Sequence, residues 1–227
     1  IHAHQRAEKL AKHKNWIEAN ANRLMRFFAS GKDVNVRGIV PRLEAAPGGT
    51  WQSDLFRLAG LLWRIPISEG YGRRMRFLVW DDNNEKLIGV LALGDAVFNL
   101  KVRDDLIGWD HHRRADALVN LMDAYVLGAV PPYNVLLGAK LIATLARTSE
   151  VVDAFDDRYG ETVGLISKKR KNAHLAAITT TSALGRSSIY NRLKLDGRVL
   201  FDSIGYEFRL CVAVGLVLRS HSHCSFS

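Results

Sequence analysis

The chain has 227 residues, 48% of them apolar, only two cysteines and a formal charge of +9. These figures exclude a disordered chain and a disulfide-stapled scaffold, and no apolar run approaches the ~20 residues of a membrane-spanning helix. They leave one large domain, or a domain with an extension, expected in a reducing cytoplasm; the positive charge is either an incidental surplus or an attraction to polyanions, DNA or RNA first among them, and no membrane partner is expected.

Residues 6–28 carry Leu10, Ile17 and Leu24 at seven-residue intervals, with Met25 and Phe28 beside them. That spacing predicts an amphipathic helix. Its opposite face holds Arg6, Lys9, Lys12 and Arg23, a face either simply solvated or laid along a phosphate backbone. Gly, Pro and Asp in 30–50 predict a loop, so 1–50 reads as a helical extension with a linker. Thr50 is placed to cap a helix over 51–63, which Pro66 stops. Apolar runs at 76–80 and 87–93 flank "DDNNE" and predict an antiparallel hairpin. Both runs are nearly continuous in apolar residues, so both faces are expected to be covered. Residues 110–123 read as a helix capped by Asp110, with Leu118, Leu121 and Met122 inward. A buried strand over 124–130, ended by Pro131-Pro132, and a helix over 134–147 follow. The remaining expectations are a strand at 174–181, a short helix at 186–195 and a last strand in "DSIGYEF". The fold class is α+β, a mixed central sheet with flanking helices over 51–210.

The densest polar stretch is "TTTSALGRSSIYNRL", Thr179–Leu193. It reads as a strand-to-helix turn. Ser187 and Ser188 either cap that helix or present their hydroxyls to an anion. Arg186 lies in the first turn, where a cation opposes the helix dipole but suits a bound phosphate. Asn191 and Arg192 lie further along. The run Lys168, Lys169, Arg170 and Lys171 is a solvated loop or a second track for phosphates. Tyr133 and Asn134 stand at a strand end, where α/β sheets place ligands. Asp104 and Asp123 are candidate catalytic carboxylates, each open to a general-base role or to ordinary ion pairing. Asp104 follows Arg103 in what reads as extended chain. Trp109 is a core anchor or a stacking platform. His111 and His112 are adjacent, not spaced i, i+3 or i+4, and there is no HExxH or CxxC, so no metal site is expected and no cofactor is identified.

Three long stretches carry a resemblance: "GYGRRMRFLVWDDNNEKLIGVLALGDAVFNLKVRD", "IGWDHHRRADALVNLMDAYVLGAVPPYNVLLGAKLIA" and "TTTSALGRSSIYNRLKLDGR". Together they resemble the DruA family of Druantia anti-phage defence proteins, over Trp51–Tyr206. The resemblance implies a role in bacterial defence against phage beside other proteins of the same system, with no assigned biochemical activity. After Tyr206 the sequence leaves the family pattern, which continues with a Gly-Trp-Gly-His-Phe type of segment. Residues 211–227 are therefore expected to be an atypical tail, as a truncation, a frameshift or a fragment boundary would produce. The order of hairpin, strand, glycine-containing loop and helix is also similar to GNAT-like acetyltransferases. In that fold, loop amides hold the cofactor pyrophosphate. Gly138 in "PPYNVLLGAKL" matches one of its glycines, while Leu136 stands in place of the other and Asn134 replaces an Arg or Gln. Three functions stay open: binding of nucleic acid or another phosphate-bearing ligand, an acyltransferase-like or nucleic-acid-modifying enzyme using Asp104 or Asp123, and a non-catalytic subunit of a defence complex.

Overall fold

The computed structural model describes residues 2–63, 67, 70–136, 138–163, 170–181, 192–207 and 210–216. Its elements run α1 (His2–Lys12), α2 (Lys14–Met25), β1 (Pro41–Ala45), α3 (Trp51–Gly60), β2 (Arg74–Asp81), β3 (Lys86–Asp95), α4 (Lys101–Ile107), α5 (His111–Ala117), β4 (Leu121–Ala129), α6 (Gly138–Leu145) and α7 (Ser149–Tyr159). Then come β5 (Glu161–Val163), β6 (Arg170–Asn172), β7 (Ala177–Thr181), β8 (Lys194–Leu195), β9 (Arg198–Val199), β10 (Asp202–Glu207) and β11 (Leu210–Leu216). Single 3-10 turns lie at Leu118–Asn120 and Tyr133–Leu136. The chain divides into two compact units that interleave in sequence, Ile1–Gly94 with Tyr125–Ala143, and Asp95–Ala124 with Thr144–Ser227. The class is α+β with a mixed sheet.

In the first unit β1, β2 and β3 form an antiparallel ladder, Pro41 opposite Asp81 and Arg74 opposite Gly94. The β2–β3 hairpin is the one expected. Its turn closes with the Glu85 N–H donating to the Asp81 carbonyl at 2.8 Å, and Glu85 takes the left-handed φ of 57°. The core gathers Leu24, Leu55, Leu78, Leu87, Val90 and Val126, with Trp16, Phe27 and Phe28 packed against it. Thr50 caps α3 as expected, accepting from the Ser53 N–H. Two expectations are corrected here. The helix over 6–28 is two helices, because His13 leaves the helical basin at ψ 6°. Leu24 enters the core, whereas Met25 stays 53% exposed. The loop over 30–50 contains β1. As an edge strand it keeps only a weak apolar pattern, and Pro41 is tolerated at its first position.

In the second unit the strand order is β4-β7-β11-β10. β4 runs parallel to β7, pairing Leu121 with Ala177 and Asp123 with Thr179, and the other pairs are antiparallel. α4 packs on β10. Asp110 caps α5 as expected, its carboxylate accepting from the Arg113 N–H at 2.7 Å, a bond that lowers the Asp110 pKa. Four expectations are corrected. The helix over 110–123 ends at Ala117, and Leu121 and Met122 are buried strand residues. Arg103 and Asp104 are helical, in α4. Lys194 and Leu195 belong to the β8–β9 hairpin, turned by Asp196 (φ 49°) and Gly197 (φ 77°). That Asp-Gly pair is the usual signal for such a turn. Lastly, the strand "DSIGYEF" is not the last, since residues beyond Tyr206 form β11, seated between β7 and β10.

Candidate anion site

The first unit holds a cavity of about 460 Å³ whose lining includes Lys9, Lys12, Arg57, Arg74 and Arg76. Simple periodicities bring these cations together. Lys9 and Lys12 are three apart on α1 and share a face. Arg57 points away from α3's buried stripe of Leu55, Phe56, Leu58 and Ala59. Arg74 and Arg76 alternate along β2 with the buried Met75 and Phe77, so both guanidiniums leave the same side of the strand. The turn before α3 borders the cavity with Gly48 and Gly49; the φ of 81° at Gly49 requires glycine.

The described contacts of Arg57 and Arg76 are neutral, and Lys9 and Arg74 each make at least one neutral contact. Arg57 lies 4.1 Å over the Trp16 ring and its Nη2 is 2.7 Å from His13 Nδ1. Since a guanidinium only donates, that ring nitrogen accepts. Lys9 donates to the Ile67 carbonyl at 2.8 Å. Arg74 lies 4.2 Å over the Tyr125 ring, and Arg76 5.7 Å over Phe56. Among the described residues, Lys12, Arg57 and Arg76 form no ion pair with a carboxylate. Asp54 also lines the cavity, but its carboxylate accepts from Arg23 at 3.0 Å. The arrangement concentrates positive charge in a concavity, which suits a compact polyanion.

Other side chains singled out in the sequence are placed elsewhere. Tyr133, only 1% exposed, donates its hydroxyl to the fully buried Asp81 at 2.8 Å, and Asn84 donates to the same hydroxyl at 2.8 Å. Burial, with the nearby Asp81 carboxylate, pushes the Tyr133 phenol up to about 12. Asp81 also accepts from the Val40 and Asn83 N–H groups. Asn134 is exposed. Gly138 opens α6, and a Cβ there would stand 2.7 Å from the Tyr133 carbonyl and 2.8 Å from the Ala129 methyl. Close packing therefore accounts for that glycine.

In the second unit, Arg103 is fully buried and donates Nε and Nη2 to Asp104 Oδ1 at 2.8 and 2.6 Å. Arg114 donates to Asp104 Oδ2 at 3.0 Å, so both carboxylate oxygens are engaged. Trp109 is half-buried with the Arg103 guanidinium 5.6 Å from its ring centre. Asp123 is half-buried and accepts from the Thr179 hydroxyl at 2.7 Å. Arg192 is exposed ahead of β8. Lys168, Lys169, Arg186, Ser187, Ser188 and Asn191 lie outside the described residues, and of Arg170 and Lys171 only the backbone, in β6, is described. The cavity was not foreseen. Its one signal in the sequence is the basic face of the first helix, which supplies Lys9 and Lys12.

Among the described residues no helix is long and apolar enough to cross a membrane. No solved structure matches the chain. The sequence profile described as Druantia protein DruA matches residues 1–208. A Druantia protein DruA of Escherichia coli (strain UMEA 4076-1) is 60% identical over 206 residues, 91% of this chain and 51% of that protein. The chain thus spans about half the length of that relative. With a match over nearly all its residues, it belongs to the DruA family of Druantia proteins.

Proposed function

We propose that this chain serves bacterial defence against phage, beside other proteins of a Druantia system in the cytoplasm, and that its own contribution is to bind a phosphate-bearing ligand. Family membership supports the first part. The second is carried by one observation, five cationic side chains lining one cavity in which, among the described residues, the lining carboxylate of Asp54 accepts from Arg23. Guanidinium forks match phosphate oxygens better than any other common anion donor. The basic residues between Arg186 and Arg192 and the Lys168 to Lys171 run add positive charge that would draw the same kind of ligand. An acetyltransferase-like fold fits the β2–β3 hairpin, the β4–β7 parallel pair and the closing β10–β11 hairpin.

The test is a binding panel of short single- and double-stranded DNA, RNA and inorganic tripolyphosphate, at two salt concentrations. At least one probe should bind, with an affinity that falls as salt rises. Arg57→Gln/Arg76→Gln should weaken it by about tenfold or more, in line with loss of charge-assisted hydrogen bonds. Arg186→Ala/Arg192→Ala run alongside reports whether the second basic stretch contributes. If no probe binds at low salt, or the Arg57/Arg76 variant binds equally well, the cavity is not the site.

A further inference from the structure

Resting on that anion-site reading, we infer that the ligand is a compact oligophosphate, of the kind carried by nucleoside di- and triphosphates, and not a nucleic-acid strand. Shape is the first reason. A duplex presents one charge per ~1.7 Å along a rod, which calls for cations spread along a track. Here Lys9, Lys12, Arg57, Arg74 and Arg76 come from α1, α3 and β2 and line one cavity of about 460 Å³. That volume lies within the ~300–1,000 Å³ of small-molecule sites.

The second reason is the state of the aromatic rings. Proteins that hold single strands pair a basic groove with open rings on which bases stack. Two aromatic residues are among those lining this cavity. Phe56 is 5% exposed, and Tyr125 has the Arg74 guanidinium over its ring at 4.2 Å. Both lie beneath arginines and offer no free stacking platform, so recognition falls on phosphate groups.

Charge is the third. A terminal phosphate carries about −1.5 to −2 near neutral pH, whereas an internal strand phosphate carries a single charge. Two linked phosphates match the charge of Lys12, Arg57 and Arg76 within one small volume, while a strand would have to fold back on itself to do so. Arg57 and Arg76 are both exposed at the cavity and pair with no carboxylate among the described residues; Arg57 already donates Nη2 to His13 Nδ1, which leaves its other N–H groups and the Arg76 fork for the outer phosphates.

Calorimetric titration of the full chain with inorganic tripolyphosphate, ATP and a short oligo-dT tests this. Competition runs then add tripolyphosphate to the oligo-dT mixture. Tripolyphosphate and ATP are expected to bind with similar affinity, and to bind more tightly than oligo-dT at equal phosphate concentration. Arg57→Gln and Arg76→Gln, each shown to be folded by circular dichroism, should each weaken tripolyphosphate by about tenfold or more. Suppose oligo-dT binds and an excess of tripolyphosphate neither binds nor displaces it. The inference is then overturned while the anion-site reading stands. If neither class binds, both fall together.

Discussion

Replacing Asp104 with Asn separates a structural carboxylate from a catalytic one. In the native chain Asp104 faces two guanidiniums, taking bonds of 2.8 and 2.6 Å from Arg103 and 3.0 Å from Arg114. Arg103 is fully buried, and its remaining partners are the carbonyls of Val97 and Phe98. The Asn side chain keeps the shape but removes the charge, leaving a buried cation without its counter-ion. Breaking a buried pair in this way costs about 3–5 kcal/mol. At roughly 2–4 °C per kcal/mol for a chain of this size, the melting temperature should fall by about 6–20 °C. Urea unfolding followed by tryptophan fluorescence gives the free energy, provided the slope with urea is unchanged. The apolar double variant Arg103→Met/Asp104→Leu removes the buried pair and leaves the partly exposed Arg114 to solvent, so it should regain part of the loss, since apolar replacement of buried pairs is commonly neutral or better. An Asn variant within about 1 kcal/mol of wild type would refute the reasoning, as would a double variant as unstable as the single one. A carboxylate held only for catalysis would show the first of those patterns.

Two further expectations concern the first unit. One of the six tyrosines should ionise near pH 12, seen as a late step in absorbance at alkaline pH that Tyr133→Phe abolishes. The folded phenol lies above its unfolded value of 10, so its contribution to stability is complete below pH 10 and is lost as pH rises through about 12. Gly138→Ala should cost about 1–3 kcal/mol, because the methyl must displace the Tyr133 carbonyl or the Ala129 side chain. An unchanged denaturation midpoint would show that the backbone there has room to yield.

What the sequence disclosed follows from how local each signal is. The β2–β3 hairpin, the Thr50 cap and the Asp110 cap rest on neighbours within a few residues, and each was legible. The Asp196-Gly197 turn was just as local but stood directly after 186–195, whose last two residues, read as helical, are the first strand of its hairpin. α7 carries a plain apolar stripe of Val151, Val152, Phe155 and Tyr159 at helical spacing, a signal as local as the caps. The boundary at Leu121 was harder. Leu118, Leu121 and Met122 satisfy a helical spacing, and only pairing with Ala177 and Ile178 makes the last two a strand.

The cavity lies at the far end of this scale. Its cations are separated by as many as 67 positions, from Lys9 to Arg76. In the sequence Arg57 is one polar residue in an apolar helix, and Arg74 and Arg76 are the polar half of an alternating strand. Each looks like an ordinary solvated face. What brings them to one cavity is the turn at His13, which ends α1 at Lys12, together with the hydrophobic packing of α3 and β2 that directs their arginines outward. The apolar pattern therefore positions the charge. The densest polar stretch, Thr179–Leu193, drew the phosphate reading because its residues are adjacent in the chain. The cavity draws the same reading because its residues converge in space, and convergence is what a multiply charged anion of small size requires.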